Sequence, residues 1–346
     1  MIDADAMDST ITPGEHQDAA LELRRKMMGF IVSQAIAAVT DLGVADRLAD
    51  GPATARELAD AAGADPDALR RFLRALASEG LFAEDPQGRF RLTPMGSLLR
   101  GDLPGSLRPF VQLMTAEAYE AWGDALYSVR TGNPAFERVF GAPLFGWLPG
   151  HPSASARFDA GQAGLVPLRM EPLLDRDWAG VSTVVDVGGG NGALLAGLIG
   201  RNPHLKGILF DLPHVANAAE RAVASAGLAD RVRCVGGDFR TGVPAGGDVY
   251  VLAQILHDWD DETAGVILRQ IDRVLPADGQ LLILEQIIPA GSRPHPAKLL
   301  DLHMLVMLGG RERTMTEWQA LLTDSRFVVT SAVDYARSSL IEARPS

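Results

Sequence analysis

The spacing of hydrophobic residues changes at about residue 178. After Trp178, apolar runs alternate with segments that have helical spacing. Near-continuous apolar strands separated by helices are typical of a parallel sheet with helices on both faces. The five runs are VSTVVDV, KGILFD, RVRCVGGD, DVYVLAQ and QLLILEQII. The tail, FVVTSAVDYARSSLIEAR, contains two more strand-like pieces, for which we predict an antiparallel hairpin that closes the sheet.

The first half of the chain has mainly helical spacing. Residues 1–18 are polar and predict a disordered leader. Residues 21–39 predict a helix whose apolar face is too broad for a solvent-exposed helix, so it packs on other helices or on a second subunit. Residues 54–100 then follow the order helix, helix, hairpin. The first of these helices has the capping-box pair Thr54 and Glu57, and the second has an apolar stripe of Leu69, Phe72, Leu73 and Leu76.

This order is that of a winged helix-turn-helix, which permits two interpretations. One is DNA binding, with Arg70, Arg71 and Arg74 facing phosphates; the other is packing or dimerisation. Residues 54–100 contain seven Arg and seven Asp or Glu. A nucleic-acid-binding surface should be basic, so we favour the structural interpretation.

Composition narrows the class of protein. The 346 residues suggest two domains or one large α/β unit, and a net charge of −12 disfavours nucleic acid and anionic membranes as partners. The single cysteine, Cys234, excludes an internal disulfide framework and a multi-cysteine zinc site. We find no apolar run of bilayer length and no signal-peptide pattern, so we expect a cytoplasmic enzyme.

We predict four segments. The leader, 1–18, is followed by a helical and winged-helix domain at 19–103, a helical segment at 104–178 and the sheet-containing domain at 179–346. The third segment is rich in large apolar side chains. A helical cap over a pocket and an ordinary core have this same composition, so the composition does not distinguish them.

Three features follow successive strands of the predicted sheet. The first strand leads into the glycine turn that contains Gly188 and Gly190, which allows close backbone approach to a ligand. The second ends at Asp211, where doubly wound folds bind ribose hydroxyls, and the third leads to Asp238 and Phe239, which suit an adenine. Together they predict an adenosine-containing cofactor. A nicotinamide dinucleotide is disfavoured, because the last glycine of its G-x-G-x-x-G fingerprint is absent.

The fourth strand leads to His257 in QILHDWDDE. A histidine here suits a general base, although it could instead cap the acidic helix that follows. Glu285 ends the fifth strand in an apolar context and needs a partner, for which an imidazole N–H is one candidate. Glu312, between two arginines, is either a further site acid or a solvated charge. We see no carboxylate cluster dedicated to a metal, so we predict none.

The motifs VVDVGGGNG, FDLPHV, GGDF, LHDWDDE and DLHMLVMLGGRERTMTEW, in this order, resemble the S-adenosylmethionine-dependent O-methyltransferases of the caffeate type. That family includes plant phenolic enzymes and bacterial enzymes of aromatic natural-product and antibiotic biosynthesis. The resemblance covers nearly the whole chain after the leader. It implies a class I Rossmann-like methyltransferase sheet, a winged-helix dimerisation domain, a homodimer, and S-adenosylhomocysteine as the product.

The resemblance also implies roles for individual positions. Gly188 would contact the methionine part of the cofactor, Asp211 the ribose, and Leu212, Asp238 and Phe239 the adenine. His257 matches the base, with Glu285 and Glu312 as its two flanking acids. The acceptor pocket would be lined by Phe158, Gln162, Met304 and Met307. We also place Asp186, Gly190, Gly237 and Trp259 in the cofactor site and Met114 in the acceptor pocket. Many members have a cofactor-contacting Lys where this chain has Ala253.

We therefore predict methyl transfer to the hydroxyl of an aromatic small molecule. His257 would remove the proton, Glu285 would fix the imidazole tautomer, and Glu312 would stabilise the charged ring. The alternatives are an N-methyltransferase acting on a heteroaromatic compound and a relative that decarboxylates or hydroxylates instead. A winged-helix transcriptional regulator is a weaker alternative, because its recognition helix should be basic.

Overall fold

The computed structural model describes residues 13–335 and 338–346. The chain divides into two compact units, one up to Val111 and one from Gln112 onward. The division lies inside the helix Arg108–Thr115, near the predicted 103/104 boundary. The finer division into four segments stays a prediction. Within the described ranges, no helix combines the length and the apolarity needed to cross a membrane.

The first unit is mainly helical. Its helices are α1 (Pro13–Met27), α2 (Gly29–Asp41), α3 (Val44–Arg47), α4 (Ala55–Ala62), α5 (Pro66–Ser78) and α6 (Pro94–Ser97), and α7 (Arg108–Thr115) runs across the division. A small antiparallel sheet has the order β1 (Ala53–Thr54), β3 (Arg89–Leu92), β2 (Phe82–Glu84). The predicted helix–helix–hairpin order is confirmed. The disordered leader is wrong for residues 13–18, which are helical, and its remainder lies outside the described residues.

Local sequence signals account for these helices. Thr54 and Glu57 form the predicted capping box, with the Glu57 N–H donating to Thr54 Oγ1 (3.2 Å) and the Thr54 N–H to Glu57 Oε2 (2.7 Å). On α5, Leu69, Leu73 and Leu76 are buried. Phe72 was predicted on the same stripe but is 41% exposed. The period of 3.6 residues places it on the flank of that stripe.

The second unit begins with short helices and continues as a doubly wound sheet. Its helices are α8 (Glu117–Trp122), α9 (Ala125–Thr131), α10 (Ala135–Phe140), α11 (Leu144–Trp147), α12 (Pro152–Arg169), α13 (Glu171–Leu174), α14 (Ala193–Arg201), α15 (Pro213–Ser225), α16 (Asp261–Asp272), α17 (Pro296–Met307) and α18 (Met315–Asp324). Its strands are β4 (Thr183–Val187), β5 (Lys206–Asp211), β6 (Val232–Gly236), β7 (Val249–Ala253), β8 (Gln280–Glu285), β9 (Phe327–Asp334) and β10 (Ser339–Pro345).

The strand order is β6-β5-β4-β7-β8-β10-β9, with the first five strands parallel. β10 pairs antiparallel with both β8 and β9, which confirms the predicted hairpin. Alternate side chains along each strand enter opposite cores: Val185 and Val187 pack on one face, and Val184 packs on the other. Because both faces are covered, the open ends of the strands are where a ligand can reach the sheet.

Candidate active site

A cavity that is partly open to solvent lies at the carboxyl ends of β4, β5 and β7. All the residues predicted to bind the cofactor except Gly237 line it: Asp186, Gly188, Gly190, Asp211, Leu212, Asp238, Phe239 and Trp259. Gly237 instead packs against Phe210, whose ring would lie 2.6 Å from a Cβ at this position. Gly237 is therefore needed for close packing beside the site rather than for lining it.

The glycine turn after β4 is held by the acid that ends β5. Gly188 and Gly190 have φ values of +77° and +55°, which side-chain-bearing residues rarely adopt. Asp211 accepts hydrogen bonds from the N–H groups of Gly190 (2.9 Å) and Leu212 (2.7 Å). Each carboxylate oxygen has a second lone pair, so Asp211 can still accept hydrogen bonds from ligand hydroxyls in the cavity.

Asp186 is a buried carboxyl with one oxygen that lacks a hydrogen-bond partner. Its Oδ2 atom has no hydrogen-bond partner, and burial raises the pKa of Asp186 to about 7, with a smaller contribution from Asp211. A buried polar atom without a partner at a cavity wall is costly unless a ligand satisfies it. The glycine turn, Asp211 and this orphaned oxygen together fit a polar cofactor with hydroxyl and amine donors.

The predicted adenine end contains an ion pair that the sequence did not reveal. Asp238 accepts hydrogen bonds from the Arg240 side chain, one of them at 2.7 Å, and this contact lowers the pKa of Asp238. The guanidinium also lies 5.2 Å from the Trp259 ring centroid, and Phe239 meets Trp259 edge to face at 6.0 Å. Asp238 is therefore positioned by Arg240 and retains free lone pairs for a ligand amine.

His257 lies in a short 3₁₀ turn, Leu256–Asp258, between β7 and α16, and it is 6% exposed. Its Nδ1 is 2.6 Å from Glu312 Oε1 and 3.4 Å from Glu285 Oε2, and its Nε2 is 3.3 Å from Asp258 Oδ1. Both glutamates therefore face the same ring nitrogen. Asp258 lines the cavity, whereas His257 is not among the described residues that line it.

Glu285 mainly holds the turn that carries His257. One oxygen accepts from the N–H groups of Ile255 and Leu256, both at 3.0 Å, and the other accepts from Gln254 Nε2 at 3.0 Å. Gln254 has a φ of +58°, a strained value for a residue with a side chain. Of the two acids, Glu312 makes the short hydrogen bond to the imidazole, so the geometry assigns the tautomer-fixing contact to Glu312 rather than to Glu285.

Glu312 is buried, at 2% exposure, so it is not a solvated charge. The neighbouring Arg313 is also fully buried and donates to Leu256 O and Trp259 O, both at 2.9 Å, as well as to Asp261. At Gly310 a Cβ would lie 2.1 Å from the carbonyl oxygen of His257, so only glycine allows this approach. Burial raises the pKa of Glu312 to about 8 and that of Glu285 to about 7.

The predicted acceptor residues separate into two groups. Phe158 and Gln162 on α12 line the cavity, and Phe158 meets Phe145 edge to face at 5.9 Å. Met304 and Met307 are buried, and Met114 is half-buried, but none of the three lines this cavity. Periodicity did not indicate several residues that do line it: Phe145, Asp159, Arg169 and Gln254.

His257, Glu285 and Glu312 also form a group whose ligand atoms all lie within 4.8 Å of one another, close enough to surround a metal ion. The sequence predicts no metal. The contacts described above occupy Nδ1 and both Glu285 oxygens with hydrogen bonds, and a metal at these atoms would displace them. The absence of a metal stays a prediction, for which we give a test below.

Comparisons with known proteins agree with this geometry. The chain matches the O-methyltransferase domain family over residues 122–328 and the O-methyltransferase dimerisation domain family over residues 25–102. It is 44% identical to the phenazine O-methyltransferase PhzM of Lysobacter antibioticus, over 93% of this chain and 95% of that protein.

Two solved structures are similar over almost their whole length. The crystal structure of LaPhzM has a TM-score of 0.89 and 43% identity, covering 95% of this chain and 99% of that one. NcsB1, an O-methyltransferase from neocarzinostatin biosynthesis solved with S-adenosylmethionine and 2-hydroxy-5-methyl naphthoic acid, has a TM-score of 0.76 and 35% identity, covering 91% and 96%. With its class I sheet and its dimerisation domain, this chain belongs to the S-adenosylmethionine-dependent O-methyltransferases.

Proposed function

We propose that this enzyme methylates a phenolic hydroxyl on a planar aromatic natural product, with His257 as the general base. The observation that carries the proposal is the 2.6 Å contact between His257 Nδ1 and Glu312. A proton on Nδ1 satisfies Glu312 and leaves the Nε2 lone pair to accept the substrate proton. Nε2 adjoins Asp258, which borders the cavity, so a phenol that reaches Nε2 also meets Asp258.

The chemistry needs a base because a phenol, with a pKa of about 10, is mostly protonated at neutral pH. His257 Nε2 takes this proton as the oxygen attacks, and the adjacent carboxylate of Glu312 stabilises the resulting imidazolium. Glu285 holds the turn and so fixes the position of the ring. The apolar wall formed by Phe145 and Phe158 excludes water and orients a flat ring for attack.

S-adenosylmethionine, when bound, supplies a methyl group on a positively charged sulfur. Asp211 would hold its ribose hydroxyls, and Asp238 with Phe239 would bind the adenine. Gly188 would allow the methionine part to approach the backbone. Ala253 lines the cavity where many relatives of the caffeate type have a lysine, so this chain must hold the cofactor without that contact.

Two of the similar proteins support an aromatic acceptor with fused rings. One is described as a phenazine O-methyltransferase, and the other was solved with a hydroxylated naphthoic acid. The aromatic side chains Phe145, Phe158 and Trp259 around this cavity suit such a flat compound.

We further propose that the enzyme works as a homodimer formed through the first unit. Besides the dimerisation-domain match, α1 and α2 expose a series of large apolar side chains: Leu21, Leu23, Met27, Phe30 and Ile31. Contiguous exposed apolar surface of this kind marks an interaction site. Light scattering should give twice the chain mass, and Phe30→Glu should shift it toward the monomer. A cytoplasmic location stays a prediction.

The decisive experiment incubates the enzyme with methyl-labelled S-adenosylmethionine and a panel of hydroxyphenazines and hydroxynaphthalenes. Mass spectrometry should show the gain of one methyl group, and NMR should place it on oxygen. His257→Ala and His257→Gln should abolish turnover while retaining S-adenosylhomocysteine binding by calorimetry. Unchanged turnover in both variants would refute the base, and a methyl group on nitrogen would refute the acceptor type.

A further inference from the structure

Arg169 is the cation that faces the cavity without an acidic partner. It is the last residue of α12 and lines the cavity on the same helical face as Gln162 and Val166. Its Nη1 donates to Gln162 Oε1 at 3.3 Å, and no carboxylate lies within 4.0 Å of it among the described residues. A guanidinium has five N–H donors and stays charged in proteins, so most of its donors are unused.

Other arginines of this unit have acidic partners. Arg157 pairs with Glu117, Arg240 with Asp238, and Arg313 with Asp261. Glu285 accepts from the backbone of the 3₁₀ turn and Glu312 from His257, so both acids beside the base have partners other than Arg169. Burial lowers the pKa of the Arg169 guanidinium, whereas the charges of Glu285, Glu312 and Asp258 raise it. Among the described residues, the Arg169 side chain donates only to Gln162, so most of its donors in the cavity wall have no protein acceptor.

We propose that Arg169 binds a carboxylate on the aromatic acceptor, so that the substrate is a hydroxylated aromatic acid. A guanidinium matches a carboxylate with two parallel N–H···O bonds, which fixes both distance and ring orientation. The Gln162 amide holds the guanidinium in place. The proposal rests on the proposed function, because it concerns the acceptor of that reaction.

The cofactor also has a carboxylate, and the position of Arg169 separates the two sources. Arg169 lies on α12 and bonds Gln162, which lines the cavity together with Phe158 at the predicted acceptor positions, whereas the glycine turn and Asp211 follow β4 and β5. A group held at Arg169 therefore belongs to the molecule that presents its hydroxyl to His257.

The test compares matched pairs of probes by calorimetry on the complex with S-adenosylhomocysteine. The pairs are 3-hydroxy-2-naphthoate with 2-naphthol, and 6-hydroxyphenazine-1-carboxylate with 1-hydroxyphenazine. The native enzyme should bind the acid of at least one pair about tenfold or more tightly than its neutral partner. Arg169→Gln should remove this preference, and Arg169→Lys should keep part of it, because an ammonium is a point charge without the planar fork.

Two further variants sharpen the result. Gln162→Glu places a carboxylate within reach of Arg169 and should abolish the preference while the arginine remains. Arg221→Gln, on the exposed side of α15, removes an equal charge away from the cavity and should leave it unchanged. Melting curves identify any variant that fails to fold. If Arg169→Gln does not fold, the preference measured in Arg169→Lys decides whether the guanidinium binds the carboxylate.

Three results on acceptor binding, and one on cofactor binding, would overturn the proposal. They are the absence of preference in the native enzyme, binding of no acid at all, and an Arg169→Gln variant that keeps the preference. If Arg169→Gln instead weakens S-adenosylhomocysteine binding alone, the guanidinium serves the cofactor and the proposal is wrong. The calorimetry measures binding without turnover. If the enzyme prefers the acid but transfers no methyl group, the proposed reaction is refuted and the carboxylate site at Arg169 is not.

Discussion

The two glutamates that face His257 should have separable effects, one on the rate and one on folding. Gln at either position keeps the size of the side chain and one carbonyl oxygen, so it removes mainly the negative charge. Glu312 lies 2.6 Å from Nδ1, and both groups are nearly inaccessible to solvent, which leaves the charge unscreened. Glu285 lies 3.4 Å from the same nitrogen and instead accepts the backbone N–H groups of the turn.

The expected magnitudes follow from these contacts. A hydrogen bond to a charged group contributes about 1.5–3 kcal/mol, and about 1.4 kcal/mol corresponds to a tenfold change in rate. Above pH 8, where Glu312 is ionised, Glu312→Gln should therefore lower kcat by a factor of about 10 to 150, with little change in Tm. Glu285→Gln should lower kcat less than tenfold. It should also lower Tm by several degrees, because about 1–3 kcal/mol of stabilisation at the turn is weakened.

The pH dependence supplies a second readout. Burial raises the pKa of Glu312 to about 8, and the carboxyl stabilises an imidazolium only when it is ionised. The kcat of the native enzyme should therefore rise with pH through about 8, and Glu312→Gln should lack this limb.

Initial rates of S-adenosylhomocysteine formation at saturating substrates, combined with melting curves from pH 6 to pH 9, test all three expectations. The reasoning fails if Glu312→Gln keeps kcat within twofold of the native value at pH 9, where the native carboxyl is ionised. It also fails if Glu285→Gln is the slower enzyme while its Tm is unchanged, since the two roles would then be reversed.

Further predictions concern the turns, the cofactor, the buried acid and metals. Gly310→Ala should lower kcat more than tenfold, because its Cβ would lie 2.1 Å from His257 O. The control Gly200→Ala, at an open position, should leave kcat unchanged. Equal kcat values in the two variants would contradict this prediction. Asp211→Asn should weaken S-adenosylhomocysteine binding about 10- to 100-fold by calorimetry, as expected when a hydrogen bond to a charged group is lost, and an unchanged Kd would show that Asp211 does not contact the ribose. Burial raises the pKa of Asp186 to about 7. The stability that the protonated carboxyl contributes is complete below about pH 4 and is lost as the pH rises through 7. Between pH 6 and pH 8.5, the Tm of the ligand-free protein should therefore fall less in Asp186→Asn than in the native protein. Dialysis against EDTA should leave kcat unchanged, and a loss restored by a divalent ion would establish a metal role.

Much of the fold could be predicted because it depends on short-range properties of the chain. Continuous apolar runs indicated the parallel strands, and the antiparallel tail followed from its two strand-like pieces. The capping box at Thr54 needed only three intervening peptide units to form. Because parallel strands end at one edge, the sequence also indicated that Asp211 and Gly188 would meet, and the Gly190 N–H does bind Asp211.

Other expectations depend on long-range contacts. The resemblance placed Met304 and Met307 in the acceptor pocket, and this placement stays a prediction, because both are buried and neither lines the cavity. Phe72 differs from Leu73 by one position in the helical turn, and this rotation exposes it.

The sequence by itself determined the fold class, the cofactor edge of the sheet and the residue types of the base and its acids. Tertiary structure alone decided which acid contacts the imidazole, since His257 and Glu312 are 55 positions apart and meet only when the loop after α17 closes over the turn. It also decided that Arg169 faces the cavity without an acidic partner. Such pairings depend on a few tenths of an ångström between distant segments, and hydrophobic periodicity contains no information at that scale.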